Sequence, residues 1–570
     1  MAYRWFTEEN IKTIPELFKR SCEKMGKKTA LVFLGESMSY KKLWKSSVRI
    51  ASYILGSTKR NDRVALFMLN SPQFAMCYYG ALLAGRVAVP IKFDSLISEI
   101  KNKNPYEIKV NDEVRSQIIN AKPSVIFVLD ILHPVLSQIH IDWPCKIIFT
   151  RLTDSAAWYK RLGYPFKMRK LGKYVAFPKN AMCFRGIFFK ERFSLPSDIS
   201  LDAVAQFQAT GGTTSTPKQV MLTHRNIASN IWQARERIAD FLKEEEEVVL
   251  GALPFFHVYG LTACLNMTLL ALRGQVVILH AFDPVEAIGA VDRYRVTIFP
   301  GVEKMYSKML ECSELIKTKD ISSLKLCING AGGIREEIRK GFEDIAGTNV
   351  VVGYGLSEAS PIVSILLPDD LKLPPPARGS RIGKPLPETI VKIRDEEGNE
   401  CVEGELWVRG PQVMKGYYLN KEATAKSLDG EWLKTGDIGY FDVYGHLCFT
   451  DRKNDIIKSL GQNIYATDIE AVLSHHRRVR EVVVISVPDA SWGEAAVAVV
   501  VVKEGESILP DLLRKEFASD IKQAGLSHLH VPRRVIILES LDPFKTIIGK
   551  ILKRHLREHV KNWEQKESGA

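Results

Sequence analysis

The chain has no run of about 18 apolar residues, the length a bilayer-spanning helix needs, so it is not expected to be integral to a membrane. It also has no Cys-x-x-Cys pair. Its nine cysteines (Cys22, Cys77, Cys145, Cys183, Cys264, Cys312, Cys327, Cys401 and Cys448) lie far apart in 570 residues. An odd, scattered set argues for reduced thiols in a cytoplasmic compartment and against a zinc site. Residues 1–9 contain no apolar stretch of signal-peptide length, and the closing Ser568-Gly569-Ala570 is no address tag. The common nucleotide P-loop spacing G-x-x-x-x-G-K-[ST] is missing too. With no zinc knuckle or other recognition motif, nucleic acid is not an expected partner.

What is present is the composition of a large globular protein, 46% hydrophobic and 25% charged. At this length a single ordinary core is exceeded, and two or more domains are expected. The net charge of +13 is unusual. Part of it is concentrated in residues 160–179, which hold seven cations, four aromatic residues and no acid. Cations alternating with Tyr, Phe, Leu and Met suit an anionic membrane surface. The same stretch also fits a solvated connecting loop, and a basic surface would attract an acidic protein.

Periodicity divides the chain. From about residue 11 to residue 302, β-branched runs (from Arg63, Ser124, Gln275 and Val296) alternate with helical stretches, which argues for layered α/β subdomains with mainly parallel sheets. From about Gly379 to Phe449, short strands and turn residues predict a β-rich subdomain. After Asp455, apolar runs at 482–487 and 495–502 and a helix near 509–524 predict a compact α+β unit. The expected fold class is therefore α/β. A large N-terminal domain (1–453), with two layered α/β subdomains and a small β-rich one, precedes a small α+β C-terminal domain (454–570).

The chemistry is concentrated in one loop, Thr210-Gly211-Gly212-Thr213-Thr214-Ser215-Thr216-Pro217-Lys218. Glycines let backbone N–H groups turn inward as a nest, hydroxyls donate further bonds, and lysine adds positive charge, a composition that suits phosphate. A strand entering it (204–207) and a helix following it (224–239) are predicted; a plain Thr/Gly surface loop is the other reading. Further along stand Leu253-Pro-Phe-Phe-His257-Val-Tyr-Gly260, Asn329-Gly330-Ala331-Gly332-Gly333, Tyr354-Gly355-Leu356-Ser357-Glu358, Trp432-Leu-Lys-Thr-Gly-Asp437, Asp451-Arg452-Lys453-Asn454-Asp455 and Gly549-Lys550-Ile-Leu.

In that order, these motifs resemble those of the adenylate-forming enzymes, and the resemblance covers nearly the whole chain. It implies a carboxylate that attacks the α-phosphate of ATP and displaces pyrophosphate, then a thiol that attacks the acyl adenylate while AMP leaves. By the same resemblance the loop Thr210–Lys218 holds the β- and γ-phosphates, and Glu358 is the carboxylate on the Mg2+ side. Tyr354, in the turn with Gly355 and Ser357, stacks near adenine, where Gly330, Ala331 and Gly332 let the backbone approach. Asp437 accepts the ribose hydroxyls, Arg452 bonds ribose or phosphate, and Lys550 is the catalytic lysine. Gly461 lies along the pantetheine tunnel for CoA, and Asn454 falls on the hinge that makes the C-terminal domain mobile. His257 is either a gate to the acyl pocket or a packed core histidine.

The stretch after Pro254 has no acid for an amino-acid substrate. Residues 431–453 and 410–418 resemble the signatures of bacterial long-chain fatty acyl-CoA synthetases, which implies a long-chain fatty acid substrate. Acyl carrier protein is the alternative acceptor to CoA, and a catalytically silent lipid-binding scaffold is a further reading. Three positions depart from the family pattern: Ser215 and Gln219 replace glycines, and Asn454 replaces a charged hinge residue.

Overall fold

The computed structural model describes residues 4, 6–189, 193–210, 217–546 and 549–568. They fall into two compact units. The larger comprises Met1–Leu371, Pro385–Ile390 and Arg409–Leu433, and the smaller Lys372–Lys384, Val391–Val408 and Lys434–Ala570. Most strands of the expected β-rich subdomain thus cluster with the C-terminal residues.

Two sheets build the larger unit. One runs in the order Glu36–Ser39, Thr29–Phe33, Gln275–Ile278, Val248–Gly251, Ile298–Gly301, Leu326–Asn329, Val350–Gly355, Ile362–Ile365, parallel except at its first and last pairings. The other runs Gly416–Tyr417, Gln219–Thr223, Val204–Ala209, Val87–Pro90, Arg63–Phe67, Val125–Leu129, Lys146–Thr150, Met182–Cys183, antiparallel only in its first two pairings. Strands such as Val125–Leu129 are apolar and buried at every position, as expected where both faces are covered. The helix Pro72–Leu83, begun by a Ser71 cap, is likewise buried throughout and packs on the helix Tyr40–Leu55. Its Gly80 is required there, because a Cβ would stand 2.8 Å from Ile50.

The phosphate-loop candidate joins two strands. Gln219–Thr223 intervenes before the helix His224–Arg237 and pairs antiparallel with Val204–Ala209, so a hairpin replaces the strand-to-helix turn expected from the sequence. Five residues with a polar residue at each end carry too short a pattern to declare a strand; pairing on both sides, with Val204–Ala209 and Gly416–Tyr417, makes it one.

In the smaller unit, Ile390–Arg394, Glu403–Arg409, Trp432–Phe441, Leu447–Arg452 and Ser380–Pro385 follow one another in a sheet. A second sheet has Gly493–Val502 at its centre, flanked by Val479–Asp489 and Arg534–Ile537. Its alternate residues supply two cores. Val500 packs with Ile469, Leu473 and Phe517 of two helices, while Val499 packs with Leu556 and Val560 of the last helix, Lys553–Ser568. The nine cysteines carry free thiols. Among the described residues no helix is long and apolar enough to cross a membrane.

Candidate active site

Gly211, Gly212, Thr213, Thr214 and Ser215 lie outside the described residues; the ends of their loop do not. Thr210 donates its N–H to the Lys218 carbonyl at 3.0 Å, and its Oγ1 accepts the Lys218 N–H at 3.3 Å. This closes the loop's neck. The Lys218 ammonium then stands 4.8 Å from the centre of the Tyr417 ring. The Tyr417 hydroxyl donates to Glu358 Oε1 at 2.7 Å. Lys218 and Glu358, 140 positions apart in the chain, therefore meet through a residue that no motif reading assigned a role.

Backbone pairing brings Tyr417 there. Gly416 and Tyr417 add a short strand to the hairpin of Val204–Ala209 and Gln219–Thr223, opposite Met221 and Val220, and the Met414 N–H donates to the Glu358 carbonyl at 2.8 Å. Burial and the adjacent Glu358 carboxylate push the Tyr417 hydroxyl far above its ordinary pKa, so it stays a donor. Tyr417 lies within the quoted stretch 410–418, the only signal that pointed to it.

The turn carrying Glu358 is built tightly. A Cβ at Gly355 would fall 1.9 Å from the Pro361 carbonyl oxygen, so no larger residue fits between Tyr354 and the short 3-10 turn Ser357–Ala359. At the Asn329–Gly333 motif the glycines differ. The space beside Gly330 is filled by the Tyr259 ring, 2.6 Å from where a Cβ would be, whereas nothing lies within 4 Å of that position at Gly332. Ala331 adopts a left-handed conformation, φ 64°, and the Asn329 side chain donates to the Gly332 carbonyl at 2.9 Å.

His257 is nearly buried and is not a bare core residue. Its Nε2 lies 2.7 Å from Asp94 Oδ1, Asp94 lies 3.5 Å from the Lys92 ammonium, and Lys92 pairs with Glu113 at 2.7 Å. Burial would raise the Asp94 carboxyl, but His257 and Lys92 outweigh it and hold its pKa below the usual carboxylate value. The departure at Gln219 joins the same region. Its Nε2 donates to the Gln117 carbonyl at 2.8 Å, and the Gln117 side chain exchanges two hydrogen bonds with the Lys92 backbone. No sequence signal marked Asp94, Lys92, Glu113 or Gln117. His224, at the start of the helix after the hairpin, accepts the Ile14 N–H, and burial lowers its pKa to about 4.

The smaller unit holds the remaining candidates. Asp437 and Arg452 are direct partners in an antiparallel pair, with Nε and Oδ1 3.4 Å apart. Asp437 is buried. Just before it, within the same strand, Gly436 takes a left-handed conformation (φ 72°) and donates its N–H to Glu405 at 2.9 Å. Glu405 also pairs with Lys453 at 3.2 Å, a partner the sequence did not suggest. Gly461 (φ 76°) and Leu460 (φ 47°) turn the hairpin between Ile457–Ser459 and Gln462–Ile464, as a tight two-residue loop requires. Lys550 is part-buried, and its N–H donates to Thr546 Oγ1 at 3.1 Å. The Asn454 carbonyl and the Asp455 carboxylate both accept from Arg557, at 3.4 and 2.6 Å. Burial would lower the Lys553 ammonium, but Glu470, Asp451 and Asp455 raise its pKa above the ordinary value.

Magnesium is compatible with this donor set. Glu358 offers hard carboxylate oxygens, one of them already oriented by Tyr417, beside a loop of phosphate-binding composition. Among the described residues no group of three or more His, Cys, Asp or Glu assembles a metal cage. Mg2+ ordinarily takes one or two carboxylates and completes its shell with substrate phosphates and water, which matches a single acid here.

Comparison with known proteins identifies the family of the chain. The AMP-binding enzyme family model matches residues 18–418, and the AMP-binding enzyme C-terminal domain model matches residues 468–550. A long-chain-fatty-acid–CoA ligase of Bacillus subtilis (strain 168) is 35% identical over 558 residues, covering 96% of this chain and 94% of that protein. A protein of the same name from Yersinia pestis is 33% identical, covering 95% and 93%. Among solved structures, the anthranilate CoA ligase AuaEII in complex with anthranoyl-AMP superposes with a TM-score of 0.79 at 19% identity, covering 97% of this chain and 98% of that one. At that identity the likeness speaks for the fold alone.

Proposed function

The chain belongs to the AMP-binding enzyme family, and from that premise we propose that it is an ATP-dependent long-chain fatty acid–CoA ligase (AMP-forming). The fatty carboxylate attacks the α-phosphorus of ATP, the bond to the β-phosphate oxygen breaks, and pyrophosphate leaves. The CoA thiol then attacks the acyl carbonyl, forming the thioester while AMP departs with the electron pair of the mixed anhydride. No protein nucleophile is required, because the adenylate is itself the activated acyl group.

One observation carries the reading: Tyr417 holds Glu358 at 2.7 Å on the strand that pairs with the phosphate hairpin, next to Lys218. Lysine offsets phosphate charge, and Glu358, oriented by Tyr417, would hold Mg2+, which would supply charge neutralisation for the departing pyrophosphate. Asp437 receives the ribose hydroxyls and Arg452 restrains its carboxylate. Tyr354 and the Gly332 backbone take the adenine. His257, held through Asp94, borders the acyl pocket, and Gly461 the path of the CoA arm. Lys550 offsets charge developing on the α-phosphate, and the chain around Asn454 is the joint of a mobile domain, 454–570. The site of action is cytoplasmic, with peripheral contact at the inner membrane surface through residues 160–179.

Hydroxylamine trapping with ATP and palmitate tests the first half-reaction, and comparing CoA with acyl carrier protein as acceptor tests the second. Palmitoyl hydroxamate and palmitoyl-CoA are the expected products. ATP-independent palmitate binding without hydroxamate would sink the proposal in favour of a lipid-binding scaffold. Thioester on the carrier protein alone would correct the acceptor.

A further inference from the structure

The helix Trp158–Lys170 turns its apolar residues outward. Trp158, Leu162 and Phe166 are 66%, 64% and 71% exposed. At 3.6 residues per turn they lie within about 80° of arc, and Tyr159 falls just beyond them. The single buried side chain of the helix is Tyr164, on the opposite face, whose hydroxyl donates to the buried Asp130 at 3.1 Å. A surface helix ordinarily buries its apolar stripe and shows its polar face to water. Here the anchor to the body is a tyrosine hydroxyl, and the stripe is left uncovered.

Charge surrounds that stripe with one sign. The helix contains no acidic residue, and its last turn carries Lys167, Arg169 and Lys170. Not every cation of the stretch takes part. Lys160 donates to the Leu34 carbonyl and Lys173 to the carbonyls of Ile100 and Lys101, so both are turned toward the protein and fasten the segment at either end. The helix therefore presents a row of Trp, Leu and Phe, flanked by Tyr159 and by three cations, in an orientation set from beneath.

We propose that this face is a docking surface for an anionic phospholipid bilayer. Trp and Tyr favour the headgroup level, Leu and Phe the acyl boundary just below it, and Lys and Arg the anionic headgroups. The net charge of +13 draws the whole molecule toward such a surface. A soluble acidic partner would meet the three cations but would leave the Trp158–Leu162–Phe166 row in water, which favours the bilayer. The inference sharpens the membrane contact of the proposed function to one helix face, and its readout is separate from ligase activity.

The test is co-sedimentation of the full chain with vesicles of equal phosphatidylglycerol and phosphatidylcholine, beside vesicles of phosphatidylcholine alone. Wild type should bind the anionic vesicles at least tenfold more tightly, and the difference should shrink as salt rises. Trp158→Ser/Leu162→Ser/Phe166→Ser should reduce binding to anionic vesicles at least tenfold, and Phe166→Ser alone should reduce it measurably. Lys167→Gln/Arg169→Gln/Lys170→Gln should abolish the preference for anionic lipid, whereas Lys160→Gln/Lys173→Gln should retain it. Adenylation of octanoate, a water-soluble acid, should be unchanged in the serine variants. Wild-type binding by the triple serine variant, or a wild type that binds an acidic carrier protein but no vesicle, would overturn the proposal. A chain that binds vesicles yet forms no hydroxamate would fail the ligase reading and leave this one intact.

Discussion

Asp437 in the smaller unit, and Glu358 and His257 in the larger, are held by opposite devices. In the smaller unit, Asp437 and Arg452 face one another because they are register partners on adjacent antiparallel strands, 15 residues apart. In the larger unit, Glu358 is held by the hydroxyl of Tyr417, 59 positions away, and His257 by Asp94, 163 positions away. The first arrangement is local, and the backbone ladder specifies it. The second is assembled only when distant segments close on one another. A residue held by register should act as a point contact, whose loss affects one ligand. A residue held by a long-range hydrogen-bond chain should lose orientation by degrees when a partner is trimmed.

The largest effect is expected where neither device supplies a substitute. In the proposed mechanism Lys550→Ala removes a charge that counts only as the α-phosphate reacts, and losing such a group costs about 3–4 kcal/mol, or 10²–10³ in rate. Pyrophosphate release should fall by that factor, while conversion of supplied palmitoyl adenylate and CoA to palmitoyl-CoA should persist. Equal loss of both half-reactions would mean that Lys550 supports the fold of its unit and does not act in one step.

Asp437→Ala comes next. Charge-assisted bonds to a ribose are worth about 2–3 kcal/mol, so kcat/KM for ATP should drop roughly 30- to 150-fold. Steady-state kinetics should show the KM for palmitate almost unmoved, as a point contact requires. A parallel rise in both KM values would break the contrast, placing Asp437 with the long-range group.

Tyr417→Phe is the smaller test of the other side. It keeps the ring beside Lys218 and deletes one hydrogen bond to a carboxylate, at a cost of about 1.5 kcal/mol, or roughly tenfold. The loss should appear in kcat and in the Mg2+ concentration needed for half-maximal rate, with little change in the KM for palmitate. An unchanged Mg2+ dependence would show that the Glu358 orientation does not depend on this hydroxyl.

Much of this protein is determined by its sequence alone. The alternation of β-branched runs and helical stretches, the shift to turn-rich strands after Gly379 and the apolar run 495–502 each encode their element through local periodicity, and those elements form. The spacing of Asp437 and Arg452 around the turn at Asp442–Gly445 needs no more than a hairpin to bring them together. Only the tertiary structure decided that Gln219–Thr223 is a strand, because its two partners lie in separate parts of the chain. The same is true of the Tyr417–Glu358 and Asp94–His257 contacts, which join segments with no sequence periodicity in common. Residues 160–179 combine both cases. Their basic and aromatic composition is visible in the sequence, but which face meets water follows from Tyr164 reaching a buried carboxylate on another element. Local periodicity specifies what a segment can become; the choice of partner, and with it the orientation of each side chain, rests on long-range burial and hydrogen bonding that no single segment contains.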